Sequence, residues 1–242
     1  NAENDTVTFS SSEYDGSGEN LFTNGSLDGT VTEGAAPNSW NQFVYPDAGP
    51  FEVTTTGSND INNLSKPAVA GRYTVIDDTN LSNSNDGGTW VGFHDRVDWG
   101  LGEMEEGIWQ SGVSLEAGKT YTISFEQANF GAKASVIYGN YGKIRVFIDA
   151  NDGEQPTTVV GDGGDMVLGT GWNNASVTYT APTTGNYSIG FAARTTAEPP
   201  FTSAGAYLSI DGISIKEGST STTTATTAYT GYGSNSLTVN PV

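Results

Sequence analysis

The chain has no cysteine, a single histidine and few cationic side chains. Without cysteine there is no disulfide framework, thiolate metal site or cysteine nucleophile, and one histidine excludes the usual zinc site built from several. Nine Lys and Arg stand against 28 Asp and Glu, a net charge of -19. This charge repels phosphate backbones and attracts cations, so nucleic acid is not an expected partner. Long hydrophobic runs are also missing: none approaches the roughly 18 residues of a membrane span, so no membrane insertion is expected.

What the chain has instead is glycine and small polar residues. Hydrophobic residues make up 35% of the 242 positions, charged residues 15%, and there are 32 glycines. This balance is typical of many short strands joined by turns, and the length suits one large domain with a sizeable core.

Alternation of apolar and polar residues marks the clearest strands. Apolar side chains recur every second residue over 121–125, and the same spacing recurs over 144–148, 175–179 and 187–193. No helical segment lies between these strands, so the sequence predicts an all-β, antiparallel β-sandwich. Shorter apolar runs predict further strands in the first half, at 21–22, 40–45, 51–53, 73–76 and 90–93.

The predicted domain organisation has three parts. Residues 20–217 form the sandwich, residues 1–19 are an N-terminal extension, and residues 218–242 are a Ser/Thr-rich linker and C-terminal tail. Residues 219–227 are almost all Ser and Thr and offer little apolar surface to bury, so this run is predicted to be a flexible linker. Because Tyr229 and Tyr232 follow it, the tail is a candidate for packing on a neighbouring copy, in a homo-oligomer, filament or virion assembly.

Four segments combine apolar positions with turns in a fixed order along the chain. They are Asn20–Asp28, Glu106–Phe125, Ala181–Tyr187 and Leu208–Ile213. Together they resemble galactose-binding-like carbohydrate-binding modules, which are jelly-roll sandwiches. The resemblance implies a non-catalytic carbohydrate-binding module at an extracellular, cell-surface or virion-surface location. The same superfamily contains adhesive and structural modules, so a structural or adhesive subunit of an extracellular assembly is the alternative.

The last predicted strand changes the parity of its apolar residues. Leu208 and Ile210 share one parity, whereas Ile213 and Ile215 share the other, so a regular strand would expose one pair to water. A β-bulge at Asp211-Gly212 restores the alternation.

A bulge at an acidic residue also suggests a metal site. At a bulge, backbone carbonyl oxygens are released from the interstrand hydrogen bonds and can bind a cation. The modules that this chain resembles often hold a structural calcium ion at this position. Asp28 and Asp211 are therefore the predicted calcium ligands. In the alternative interpretation Asp211 only caps the kink, by hydrogen bonds with nearby amides.

Aromatic and charged side chains crowd one Gly-punctuated stretch. Indole rings pack on the C–H faces of sugars, while carboxylate and guanidinium groups bind hydroxyls. The stretch is therefore the predicted ligand surface, and the net charge favours a neutral or cationic glycan. The competing interpretation places its aromatic residues in the core. The predicted ligand-binding residues are Trp90, His94, Asp95, Arg96, Asp98 and Trp99.

The same acidic residues raise a third hypothesis, a glycoside hydrolase. Asp98 and Glu103 would form a catalytic pair if their carboxyl groups lay about 5 to 9 Å apart. No Gly-x-Ser-x-Gly motif accompanies His94-Asp95, and no acidic pair lies in a recognisable catalytic motif. The chain is therefore predicted not to be an enzyme.

Overall fold

A computed structural model describes residues 6–12, 18–32, 34–44, 59–64, 82–98, 102–130, 141–196, 204–218 and 220–226. Every regular element in these ranges is a β-strand. The described residues include no helix long and apolar enough to cross a membrane. The strands are β1 (Thr6–Ser12), β2 (Asn41–Gln42), β3 (Asp60–Asn62), β4 (Trp90–Asp98), β5 (Gly102–Glu105), β6 (Gly107–Leu115), β7 (Thr120–Asn129), β8 (Tyr141–Asp149), β9 (Val159–Asp162), β10 (Met166–Val167), β11 (Thr170–Thr180), β12 (Gly185–Thr195), β13 (Ala204–Glu217) and β14 (Thr220–Thr226).

Two antiparallel sheets form the sandwich. In the first sheet the strand order is β11-β7-β13-β4-β3, with β5 paired to β4. In the second sheet the order is β10-β8-β12-β6-β2, with β9 paired to β8. The predicted fold class, an all-β antiparallel sandwich of the jelly-roll kind, is confirmed.

The core lies between the sheets and uses the residues that alternation predicted. Ile123 and Phe125 of the first sheet, with Ile189 and Phe191 of the second, belong to one buried apolar cluster. The rings of Phe125 and Phe191 meet edge to face, with centroids 5.5 Å apart. Alternation therefore identified the inward face correctly, because successive side chains of a strand point to opposite faces of the sheet.

The first half departs more from the predictions. Residues 21–22 belong to no strand and precede a turn over 23–26, and in this segment the backbone of Asn24 and Leu27 has positive φ, at 53° and 52°. Positive φ is uncommon at residues other than glycine and does not suit an extended strand, although Phe22 and Leu27 still belong to the core. The predicted strands at 51–53 and 73–76 lie outside the described residues.

The chain divides into two compact units. One is Ser17–Glu217, which contains both sheets of the sandwich. The other combines Asn1–Gly16 with Gly218–Val242, and in it β1 pairs with β14 in antiparallel register, from Thr6 opposite Thr226 to Ser12 opposite Thr220. The predicted linker is therefore a strand over Thr220–Thr226, which suits the β-branched side chain of threonine. Tyr229 and Tyr232 lie outside the described residues, so assembly through the tail stays a prediction.

Candidate functional site

The predicted bulge in β13 is present and creates the candidate site. The register of β13 against β7 shifts between Asp211 and Ser214, and Gly212 has a positive φ of 54°. Leu208, Ile210, Ile213 and Ile215 are all buried in the core as a result. The shift also leaves Asp211 opposite Glu126, so both carboxylates lie on the outer face of the first sheet.

Asp211 is completely buried on that face. Its Oδ2 accepts a hydrogen bond from the hydroxyl of Ser84, and its Oδ1 has no hydrogen-bond partner within the described part of the chain. The pKa of Asp211 is raised to about 8, chiefly by burial and also by the nearby charges of Asp86 and Glu126, against the opposing effects of hydrogen bonds from Ser84 and from the backbone N–H of Gly212. Burying an ionised carboxylate this way is costly unless a cation compensates it.

Glu126 holds the loop that covers Asp211. Its Oε1 accepts a hydrogen bond from the side-chain amide of Asn85. Its Oε2 accepts from the backbone N–H of Asn85 at 2.8 Å and from that of Asp86 at 3.4 Å. Together with the bond from Ser84 to Asp211, these contacts fix residues 84–86 over the bulge.

Two further carboxylates approach from the loops. Burial raises the pKa of Asp86, as do the negative charges of Asp28 and Glu126. Asp28 is positioned by its own turn, where its N–H donates to Asn24 Oδ1 at 3.1 Å and its Oδ2 accepts from Ser26 at 3.0 Å. We name Asp28, Asp86, Glu126 and Asp211 the acid cluster.

The backbone comes unusually close to the acid cluster at Gly88. A Cβ atom at Gly88 would lie only 2.6 Å from Asp28 Oδ1, and Gly88 has a positive φ of 72°. On the far side of the cluster, a Cβ at Gly212 would lie 3.4 Å from Glu126 Oε2 and 3.7 Å from Asp86 Cβ. Asp86 is thus close to Glu126 and to the bulge, while the same loop contacts Asp28.

A polar cleft of about 540 Å³ opens beside the acid cluster. Its lining combines amide, hydroxyl and carboxyl groups with one ammonium group, all of which can bind sugar hydroxyls. Its size is that of a small-molecule site. The lining residues are Asn20, Gly25, Ser26, Asn85, Asp86, Glu126, Asn174, Gly212, Ile213, Ser214 and Lys216.

The acid cluster offers the oxygen donors that calcium prefers, but it does not form a complete cage. Calcium takes six to eight oxygen ligands, whereas no group of three or more acidic, histidine or cysteine side chains at metal-binding spacing occurs in the described ranges. A cation here would therefore use few carboxylates, together with carbonyl, amide, hydroxyl or water oxygens. The unpartnered Oδ1 of Asp211 and the mutual repulsion of the carboxylates both fit a bound cation.

Two of the predicted ligand-binding residues are not available to a ligand. Trp90 and Asp95 are both completely buried. Trp90 packs against Phe130 and Trp172, with ring centroids 6.4 and 5.9 Å away, and Asp95 accepts a hydrogen bond from the backbone N–H of Thr195. Neither residue lies on an exposed face: Trp90 is covered on the outer face of the first sheet by these rings, whereas Asp95 shares the parity of the core residues Val91 and Phe93 and points between the sheets.

The other predicted ligand residues are not described at the side-chain level. His94, Arg96 and Asp98 belong to β4, where the structure describes only their backbone, and Trp99 lies outside the described residues. Glu103, the second member of the hypothetical catalytic pair, belongs to β5, again with its backbone alone described. Their role stays a prediction.

Sequence reasoning missed Asp86 and Glu126. A signal for Glu126 was present, because it continues the polar face of the strand formed by 120, 122 and 124 and thus points away from the core. Nothing in the sequence placed Asp86 near it, since their contact joins segments about 40 residues apart. The predicted pair Asp28 and Asp211 lies at opposite sides of the cluster, and Asp86 interacts with both.

Comparison with known proteins gives similarity at the level of structure. No protein-family model and no curated protein matches the chain. The enzymatically active domain of tailspike protein 4 from bacteriophage CBA120 is similar, with 13% identity and a TM-score of 0.45 over 82% of this chain. The match covers 21% of the tailspike chain, so this chain spans about a fifth of it.

Two other solved structures match over nearly their whole length. TmCBM61 in complex with β-1,4-galactotriose has 15% identity and a TM-score of 0.41, covering 82% of this chain and 99% of that one. The K1 cleaved adhesin domain of Lys-gingipain from Porphyromonas gingivalis has 13% identity and a TM-score of 0.41, covering 87% and 98%. Carbohydrate-binding modules are thus among the solved structures that are similar to this chain.

Proposed function

We propose that the chain is a non-catalytic, extracellular carbohydrate-binding module that holds a calcium ion at the acid cluster and binds a neutral or cationic glycan in the adjacent cleft. The observation that carries the proposal is the buried Asp211 carboxylate, which has an unpartnered oxygen and lies beside Asp86 and Glu126 at a polar cleft of about 540 Å³.

Charge compensation supports the calcium ion. Four carboxylates lie around residues 84–88, and the pKa of Asp86 and Asp211 is raised by burial and by neighbouring negative charges. When bound, calcium would supply positive charge and take oxygen ligands, and Asp211 Oδ1 is a buried oxygen of the cluster that has no hydrogen-bond partner in the described part of the chain. Binding only to the folded state would stabilise the chain.

The lining of the cleft supports a neutral or cationic glycan. Asn85 and Asn174 offer amide donors and acceptors, while Asp86 and Glu126 add negative potential beside a chain of net charge -19. Sugar hydroxyls satisfy both donors and acceptors. An anionic sugar would be repelled at this particular surface.

The positions of the carboxylates support a binding role instead of catalysis. A carboxyl group with a pKa of about 8 resembles a general acid, but Asp211 is completely buried and covered by Ser84, so it is out of reach of a substrate. Glu126 is engaged by the amides of Asn85 and Asp86. Both carboxylates thus hold the loop in place.

The proposal is tested in two separate steps. Calorimetric titration with calcium should show one site in the full chain, weakened by Asp211→Asn and Glu126→Gln and unchanged by the control Glu116→Gln, which removes an exposed carboxylate elsewhere. A glycan array with calcium and with chelator then tests the ligand, with Asn174→Ala as the cleft variant. If no calcium binds, the proposed calcium site is refuted. If no glycan binds at millimolar concentration, the alternative role as a structural or adhesive subunit is favoured.

A further inference from the structure

Strand β11 is the outermost strand at one edge of the first sheet. It pairs only with β7, and its register is regular from Asn173 opposite Gln127 to Thr180 opposite Thr120. The other outermost strands in the described part of the sandwich, β2, β3, β5, β9 and β10, are two to four residues long. Short edge strands leave little backbone for another chain to pair with, whereas β11 has 11 residues.

Alternate residues of β11 direct their backbone groups away from β7. Ala181, which follows the strand, donates its N–H to the carbonyl of Lys119 at 3.0 Å. The odd-numbered residues therefore form the hydrogen-bonded pairs with β7, and the N–H and C=O groups of the even-numbered residues point to the open edge. The described part of the chain supplies no backbone partner to these groups. The even-numbered residues of the regular stretch are Asn174, Ser176, Thr178 and Thr180.

The usual protection of an edge strand is missing over this stretch. Proteins block open edges with charged side chains, proline or bulges. β11 contains no proline and no charged residue, and its register shift lies before Asn173. No charged residue occurs anywhere in 166–193, although the chain has 28 Asp and Glu and nine Lys and Arg. Two copies that meet along β11 therefore bring no like charges of this strand together.

The residues of the open edge also suit pairing with themselves. In an antiparallel pairing centred on Val177, Asn174 lies opposite Thr180 of a second copy, and Ser176 lies opposite Thr178 of that copy. Each such pair exchanges two backbone hydrogen bonds. All four side chains are exposed, and Ser and Thr side chains directly opposite each other can form hydrogen bonds. Val177 belongs to the core, so this pairing leaves the interior unchanged.

We propose that two copies of the chain associate through β11 in antiparallel register and join their first sheets into one continuous sheet. Such a contact uses the same surface on both copies and closes at a dimer. The two-fold axis is perpendicular to the joined sheet, because neighbouring strands of one sheet share its faces. The outer faces of both first sheets therefore point in the same direction.

The dimer presents two copies of the polar cleft on one side. Asn174 of β11 and Glu126 of β7 line this cleft on the outer face. Two sites held on one body bind a repeating polymer more tightly than one site does, provided that the polymer reaches both. This consequence rests on the proposed function, whereas the dimer depends only on the edge of β11 and goes beyond that function.

Sedimentation velocity of the full chain tests the proposal. The runs contain chelator and no glycan, so failure of the calcium site or of the glycan site leaves this measurement unaffected. From micromolar to about millimolar chain concentration, the mass should rise from the 25.3 kDa of one chain towards twice that value. Sodium chloride should strengthen the dimer, because it screens the repulsion between two chains of net charge -19.

Two matched pairs of variants locate the contact. Thr178→Glu adds a charge at the open edge, whereas the control Thr122→Glu adds the same charge directly opposite on β7, a strand paired on both sides. Ser176→Pro removes an N–H of the open edge and leaves the bonds to β7 in place, whereas the control Ser176→Ala keeps that N–H. Thr178→Glu and Ser176→Pro should each weaken the dimer at least about tenfold, and the two controls should leave it unchanged.

Circular dichroism first checks that each variant is folded; if Ser176→Pro does not fold, the two glutamate variants decide. A wild type that stays monomeric at all concentrations, or equal weakening by Thr178→Glu and Thr122→Glu, would overturn the proposal. Dimers that persist in both edge variants would place the contact elsewhere, such as in the C-terminal tail, and would overturn it as well. A dimer that salt weakens would indicate a charged interface, which β11 does not offer.

Discussion

The buried Asp211 makes a sharp prediction about stability and pH in the absence of calcium. The pKa of this carboxyl is about 8 in the folded chain and 3.8 in the unfolded reference. Between these values the folded state holds a proton that the unfolded state has released. The contribution to the free energy of unfolding is therefore complete below about pH 4 and is lost as pH rises through 8.

The size of the effect follows from the same shift. The free energy of unfolding falls by at most about 1.4 kcal/mol per pH unit for one proton, so the loss between pH 4 and 7 is on the order of 4 kcal/mol. Single domains are stable by about 5–15 kcal/mol, so this loss is large. In a domain of this length it corresponds to a fall of the melting temperature on the order of 10 °C.

Calcium should reverse the trend. Because a cation binds the deprotonated carboxylate, saturating calcium should stabilise the wild type most at pH 7 to 8 and least at pH 4 to 5. Asp211→Asn removes the titrating group while keeping the shape of the side chain. This variant should melt above the chelated wild type at pH 8 and should respond little to calcium.

Thermal unfolding from pH 4 to 9, with calcium and with chelator, checks the reasoning on wild type, Asp211→Asn and the exposed control Glu116→Gln. The control should follow the wild type, which separates the effect of Asp211 from the general repulsion of an acidic chain. Equal midpoints of the chelated wild type at pH 5 and pH 8, or an equally steep decline in Asp211→Asn, would refute the assignment of a high pKa to a buried, uncompensated carboxylate.

Three further predictions concern packing and the loop over the bulge. Gly25→Ala should lower the free energy of unfolding by about 2 kcal/mol or more, because its Cβ would collide with the Ile213 carbonyl oxygen, whereas Gly171→Ala, with no atom within 4 Å of its Cβ, should leave the melting temperature nearly unchanged. Trp90→Ala should cost about 3–5 kcal/mol in denaturant unfolding, since the ring is completely buried; a surface-like change under 0.5 kcal/mol would contradict this. Glu126→Ala should remove hydrogen-exchange protection at the Asn85 amide, and retained protection would show that the loop does not depend on this anchor.

The sequence alone determined the strands of the second half and the bulge between Asp211 and Ser214. Both depend on alternation within one strand, which is a local property: apolar residues must face inward, so a change of parity requires an extra residue. For the same reason Asp211 was identified as a residue at the edge of the bulge.

Tertiary structure decided which residues accompany Asp211. Glu126 faces it through the register of β7 and β13, and Asp86 joins them from a loop fixed by hydrogen bonds to Glu126. Cross-strand register depends on segments distant in sequence, and the order of acidic residues along the chain does not contain it. The burial of Trp90 could not be predicted from the sequence for the same reason, because its packing partners Phe130 and Trp172 belong to distant parts of the chain.

The distribution of charge shows most clearly what composition determines and what the tertiary structure determines. The net charge of -19 is a sum over the whole sequence, and it predicted a surface that avoids anions. Strand pairing nevertheless sets Lys143 opposite Arg194 and places Arg145 beside them on the same face. Composition fixes the total charge, whereas the fold fixes which charges lie within a screening length of one another, and that distance governs what each face can bind.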